Sequence, residues 1–183
     1  MKKELGILIL LVVLCVIVSI FNPRFLTANN LQNTGRLVGA FGIFSLGLGL
    51  VIITGGIELS VGSLMALLGV LLSMMLTEWN WAAPLAVAGC VGLAMALSWG
   101  HGWLITKMKI QPFIVTLCGL LVYRGVARFI TKDSTKGFGN AAGFESLRYL
   151  ASGNLFGVPM PFVLLLVISA VMWVFLHRSV YGR

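Results

Sequence analysis

Acidic residues are scarce in this chain: 5 Asp and Glu stand against 13 Lys and Arg in 183 residues, and charged residues make up only 10%. A soluble domain carries nearer a quarter, so a water-soluble globular fold is excluded and a bilayer is the solvent the composition fits. The hydrophobic share of 59% and the mean hydropathy of +1.03 agree. Cysteine is equally sparse. Cys15, Cys90 and Cys118 are odd in number and lie in apolar stretches, which argues against a disulfide framework and for packing roles. There are two histidines, and His101 has no Cys or acid near it in the sequence. It makes no metal site and reads as a helix-contact residue. No phosphate-binding P-loop and no Ser/His/acid or Cys/His set occurs, so the chain is expected to need no cofactor and to catalyse no reaction itself. Segment 137–143 loosely echoes a dinucleotide loop, but no strand precedes it. The net charge of +8 does not mark a nucleic-acid partner either. Its cations flank apolar spans singly or in pairs, with no aromatic-interleaved basic face.

What is present is an all-α pattern: a polytopic transmembrane helix bundle of about six spans, near 5–21, 37–54, 57–77, 83–105, 112–131 and 162–177. Each is close to the roughly 20 residues needed to cross about 30 Å. The first could pass for a secretory signal with Thr27-Ala28-Asn29 as a poor cleavage site, but five further spans favour a retained helix. Trp79 and Trp81 mark an interfacial turn, and a mixed loop separates the fifth span from the sixth. Orientation is not decided by counting cations. With the N-terminus inside, six fall on the cytoplasmic side (Lys2, Lys3, Lys107, Lys109, Arg178, Arg183) and seven outside (Arg24, Arg36, Arg124, Arg128, Lys132, Lys136, Arg148). Short loops near span ends carry the greater weight, so Lys2/Lys3 and the tight Lys107/Lys109 turn favour a cytoplasmic N-terminus.

Two features stand out within the spans. Gly35, Gly39, Gly42, Ser45, Gly47 and Gly49 line the second span with small residues, some at four-residue spacing. Such spacing allows close helix contact and suits a helix at the centre of a bundle. The second feature is Glu58, the sole charge between Arg36 and Glu78, beside Gly55 and Gly56. An intramembrane acid is costly unless paired or solvated and usually marks function. About 42 residues separate Arg36 from Thr77 and two crossings use about 40. The Gly-Gly turn therefore lies at the boundary or dips inward as a broken helix, which survives only beside protein or a water-filled cavity. Ser60 and Ser63 are expected to cap the amides of the following helix, and Glu58 meets its positive dipole end. A capped interfacial turn and a gate in a translocation path both fit the residues. Arg124 and Arg128 share one face of the fifth helix. Arg128 suits a headgroup contact, and Arg124, deeper, either pairs with an acid or faces a cavity.

The segment Val51-Ile-Ile-Thr-Gly-Gly-Ile-Glu-Leu-Ser-Val-Gly-Ser63 resembles the signature of sugar-type ABC transporter permeases, the ribose, galactose and arabinose branch related to branched-chain amino acid permeases. Further matches follow in order: Phe25-Leu-Thr-Ala-Asn-Asn-Leu31, Gly102-Trp-Leu-Ile-Thr-Lys107 with Gln111-Pro-Phe-Ile-Val-Thr-Leu117, Arg124-Gly125, and Arg178-Ser-Val-Tyr-Gly-Arg183. The resemblance implies a multi-pass inner-membrane subunit passing a monosaccharide or similar polyol. Its implied partners are separate ABC ATPase subunits, a periplasmic sugar-binding protein and a second permease subunit, the same or different. It also implies a gate or translocation path around Gly55, Gly56, Glu58, Ser60, Ser63 and Arg124. Two residues depart from the pattern: Glu58 stands where the family usually has Asp, and His101 where it usually has Asn. The sequence also stops at Arg183, where family members continue into a second half. The expectation is of an N-terminal portion that does not transport alone. A non-transporting scaffold or remnant is the alternative. A secondary carrier fits less well, since no second copy of residues 51–63 follows.

Overall fold

Three of the helices open with proline in their first turn, where the missing N–H costs nothing and the fixed φ suits the helix. A computed structural model describes residues 2–139 and 143–179. Among them the chain folds into α1 (Lys2–Phe21), α2 (Ala28–Ile53), α3 (Val61–Thr77), α4 (Ala83–Thr106), α5 (Pro112–Thr131), α6 (Glu145–Ser152) and α7 (Met160–Arg178). One small antiparallel hairpin, β1 (Asn154–Leu155) and β2 (Val158–Pro159), precedes α7. The expected all-α bundle is thus present. Four helices, α2, α4, α5 and α7, are long and apolar enough to cross a membrane. The two other expected spans are helices with shorter apolar runs, Leu5–Phe21 and Val61–Thr77.

The chain divides into two compact units. Residues 46–148 form the first, in which α5 packs on α3 and both meet α4. Leu67, Tyr123 and Ala127 form a buried cluster there with Leu64, Leu71, Leu97 and Ile130 around it. A second cluster joins Leu76 and Ala86 to Phe144, which closes the segment after α5 onto the helices. That segment is tied down twice more. The buried Ser73 hydroxyl donates to the Gly137 carbonyl at 3.0 Å, and Lys136 pairs with Glu78. Trp79 and Trp81 lie 6.0 Å apart in the α3–α4 turn, both partly exposed, as an interfacial belt requires.

Residues 1–45 and 149–183 form the other unit. In α1 every described side chain from Leu5 to Phe21 is exposed except that of Ser19, which is half-buried. A helix apolar on all sides suits lipid. The hairpin rests on the first turns of α2: Gln32 donates to the Gly157 carbonyl at 3.2 Å and Arg36 to Asn154 at 3.1 Å. Gly39 lies so close to the start of α7 that a Cβ would fall 2.3 Å from the Pro161 carbonyl carbon.

Several boundaries differ from those read off the sequence. Helix α2 begins at Ala28 rather than near 37, because Asn29, Asn30, Gln32 and Asn33 are too polar to register as membrane yet accept a helix. Helix α3 begins at Val61 rather than 57. The mixed loop contains α6 and the hairpin. Cys90 is buried as expected of a packing residue, but Cys15 and Cys118 are exposed, because the apolar surface of a bilayer protein faces outward as well as in. The small residues of α2 are not all contact points: Gly39 and Gly42 meet Pro161 and Leu165, whereas Gly47 and Gly49 have open space around them. The 137–143 segment and the last matched stretch, 178–183, fall partly outside the described residues.

Candidate functional site

The break between α2 and α3 is built from its own backbone. Gly55 adopts φ +75°, its N–H bonds to the Ile52 carbonyl at 2.9 Å, and the Gly56 N–H reaches back to the Val51 carbonyl at 2.9 Å. This is a Schellman ending, which satisfies two carbonyls that the helix end leaves open, and glycine enters the left-handed region without the Cβ penalty. Residues 54–60 then run without helix to Val61.

Glu58 lies in that stretch, half-buried. Its Oε1 accepts the Ser60 N–H at 2.5 Å and the Ser60 hydroxyl at 2.6 Å. Ser63 donates to the Ser60 carbonyl at 2.8 Å. The expected capping by serine hydroxyls is therefore corrected. Ser60 holds the N-cap position but makes no side-chain cap, because its φ −84°, ψ −12° is already helical. An N-cap hydroxyl normally reaches forward from an extended backbone. The Glu58 carboxylate instead takes the amide of the N-cap residue itself, at a helix end where the dipole favours negative charge.

Depth follows from the neighbours of Ser60, which is 2% exposed. A Cβ on Gly119 would lie 3.2 Å from the Ser60 Cβ, so the two residues touch. Gly119 stands seven residues along α5 from Pro112, about 10 Å from the helix start. His101 meets the same spot from α4, five residues before the helix ends at Thr106, or about 8 Å. The 17 residues of α3 make about 26 Å, short of the roughly 30 Å hydrocarbon core. Together these lengths set the start of α3 below the level at which α5 starts and α4 ends.

The wall around this point is partly polar. His101 Nε2 and the Tyr123 hydroxyl are 2.9 Å apart, with the rings stacked at 5.6 Å. Thr116, also buried, returns its hydroxyl to the Pro112 carbonyl at 2.9 Å. Hydroxyl, imidazole and carboxylate groups thus gather at the level where three helices converge. Arg124 does not join them. It is exposed, and the ion pairs of the described residues, Arg128–Asp133 and Lys136–Glu78, leave it out. Sequence reasoning found Gly55, Gly56, Glu58, Ser60 and Ser63 and assigned His101 to a helix contact. It missed Gly119 and Tyr123. A glycine and a tyrosine four apart on one face of α5 were the available signal.

Comparison with known proteins agrees with these features. Residues 30–183 match the family described as "Branched-chain amino acid transport system / permease component". The chain is 35% identical to the ribose import permease protein RbsC of Bacillus subtilis over 99% of its own length and 55% of that protein's. It is 37% identical to the RbsC of Escherichia coli K12 over 96% of its length and 54% of the relative's. With the fructose import permease protein FruF of Bifidobacterium longum it shares 34% over 95% of its length and 51% of the relative's. The chain spans about half the length of the curated relatives it matches. No solved structure gives a significant match. On the extent of these matches, the chain belongs to the branched-chain amino acid transport system permease family.

Proposed function

We propose that this chain forms membrane-spanning permease structure of an ATP-driven importer for a monosaccharide or similar small polar solute. In this reading it lies in the inner membrane with its N-terminus in the cytoplasm. Separate ABC ATPase subunits drive it, a periplasmic binding protein delivers solute, and a second permease subunit completes the path. The relatives named for ribose and fructose import support the solute class. The observation that carries the gate is Glu58 held on Ser60 at a helix break that lies below the helix ends.

The chemistry suits the task. A sugar leaving water must exchange its hydroxyl contacts for protein ones or forfeit them. Glu58 supplies carboxylate acceptors at this point, and Ser60 and Ser63, their hydroxyls engaged with Glu58 and the Ser60 carbonyl, hold it in place. Gly55 and Gly56 allow the chain to turn there without side chains in the way. Arg124 is kept in the path as the deeper cation of α5, facing a partner helix or cavity in the assembled transporter. The segment 132–160 contributes to docking of the binding protein. Ser73 and Glu78 of α3 anchor its first residues, through Gly137 and Lys136.

The test is uptake of labelled sugar into proteoliposomes holding the assembled transporter. Glu58→Leu is expected to reduce uptake at least tenfold while binding-protein pull-down is retained. Uptake that survives unchanged removes the gate role. Shortening 132–160 is expected to weaken the pull-down, and an unaltered pull-down removes the docking role.

A further inference from the structure

The cleft between α4 and α5 is chemically unlike the polar point at its base. It has a volume of about 300 Å³, and its wall is Leu104, Ile110, Ile114, Val115, Cys118 and Val122, with His101 and Tyr123 as its floor. The Tyr123 hydroxyl and His101 Nε2 bond to each other at 2.9 Å, so these two polar atoms of the floor are engaged rather than free for a guest. Ile114, Cys118 and Val122 are exposed, which opens the cleft sideways along α5. Such a wall is wrong for a sugar, whose hydroxyls would go unmatched, and right for hydrocarbon.

One end of the cleft carries charge. Ile110 belongs to the turn joining α4 to α5, and that turn bears Lys107 and Lys109, both exposed. No acid falls between Glu78 and Asp133 in the sequence, and the ion pairs of the described residues do not include either lysine. An apolar groove ending in two uncompensated cations has the charge pattern of an anionic amphiphile. We propose that this cleft is a binding site for an anionic phospholipid, with an acyl chain along α5 and the headgroup on Lys107 and Lys109. Basic pockets at helix ends recognise such headgroups, each lysine contributing about a fivefold preference near a membrane surface.

The experiment is lipid retention by the purified chain, which needs no transport assay. The chain is placed in nanodiscs of phosphatidylcholine containing a minority of phosphatidylglycerol, and lipids retained after detergent extraction are counted by native mass spectrometry. Phosphatidylglycerol is expected to be enriched over its bulk fraction. The Lys107→Gln/Lys109→Gln variant is expected to lose about 25-fold of that preference, with an unchanged helical spectrum. Val122→Trp, which fills the cleft from an exposed position, is expected to displace the retained lipid. Equal retention of the two lipids by the native chain overturns the proposal, as does a preference that survives both variants. Near-complete crosslinking of Cys118 between two chains also overturns it, because a second copy would then occupy the cleft.

Discussion

Replacing Gly119 by alanine tests how closely the three helices meet. The added Cβ would stand 2.6 Å from His101 Cε1, 2.7 Å from its Nε2 and 3.2 Å from the Ser60 Cβ. Ordinary carbon contact begins near 3.5 Å, so the imidazole must retreat by about 0.9 Å. A retreat of that size stretches the 2.9 Å bond to Tyr123 beyond hydrogen-bonding range. Overpacking of this kind costs about 1–3 kcal/mol, and a lost buried hydrogen bond about 1 kcal/mol more. Alanine's better helix propensity returns about 1 kcal/mol, leaving a net loss of about 1–3 kcal/mol. Gly125 is the internal control: it lies in the same helix with nothing within 4 Å, so Gly125→Ala should be neutral or slightly stabilising. The assay is thermal unfolding of the two variants in one detergent. A His101→Ala/Gly119→Ala double variant should recover part of the loss, since the clash with the ring has gone. Equal melting temperatures for Gly119→Ala and Gly125→Ala would refute the packing argument.

Further outcomes follow from the same geometry. Gly39→Ala should be more damaging than Gly119→Ala, because its Cβ would meet backbone atoms of Pro161 and Phe162 at 2.3–2.6 Å, and backbone cannot rotate away; the yield of folded protein measures this. Gly55→Ala should cost about 1–2 kcal/mol through its positive φ alone, and Gly55→Asn less, by comparison of unfolding curves. Glu145 accepts the Gly143 N–H and its own amide, and with Arg148 nearby its carboxyl is held below the usual range. A depressed carboxylate stabilises above its unfolded pKa and ceases to do so as pH falls through its lower folded value. Protection of the amides in the first turn of α6, measured relative to their intrinsic exchange rates at each pH, should therefore fall on acidification, and an identical fall in Glu145→Gln would sink the idea.

Much of the architecture was legible because immersion in lipid leaves a strong mark. Six apolar runs are six helices, and Gly55–Gly56 interrupts them where two crossings exhausted the available length. Hydropathy records which residues sit in hydrocarbon, however, and not where hydrogen bonding begins. Helix α2 thus extends back to Ala28 through polar residues that no membrane scale would score. Glu58 was conspicuous as an isolated charge, while its partner was misread. Ser60 looked like a cap, but its helical φ and ψ leave its hydroxyl no reach to the next amides, and its own amide is taken by the Glu58 carboxylate. Gly119 and Tyr123 were hidden because a glycine matters only through what faces it, and His101 comes from another helix.

Among the described residues, the two hydrogen bonds to Glu58 both come from a residue two positions ahead, at the threshold of α3. The carboxylate is therefore luggage of α3 rather than a rivet between helices. If α3 tilts or slides, the charge travels with it and keeps its donors throughout. The contact that changes is that of Ser60 with Gly119, where the His101 ring also packs. A charged group can in this way be moved through a low-dielectric region without at any moment being stripped of its hydrogen bonds.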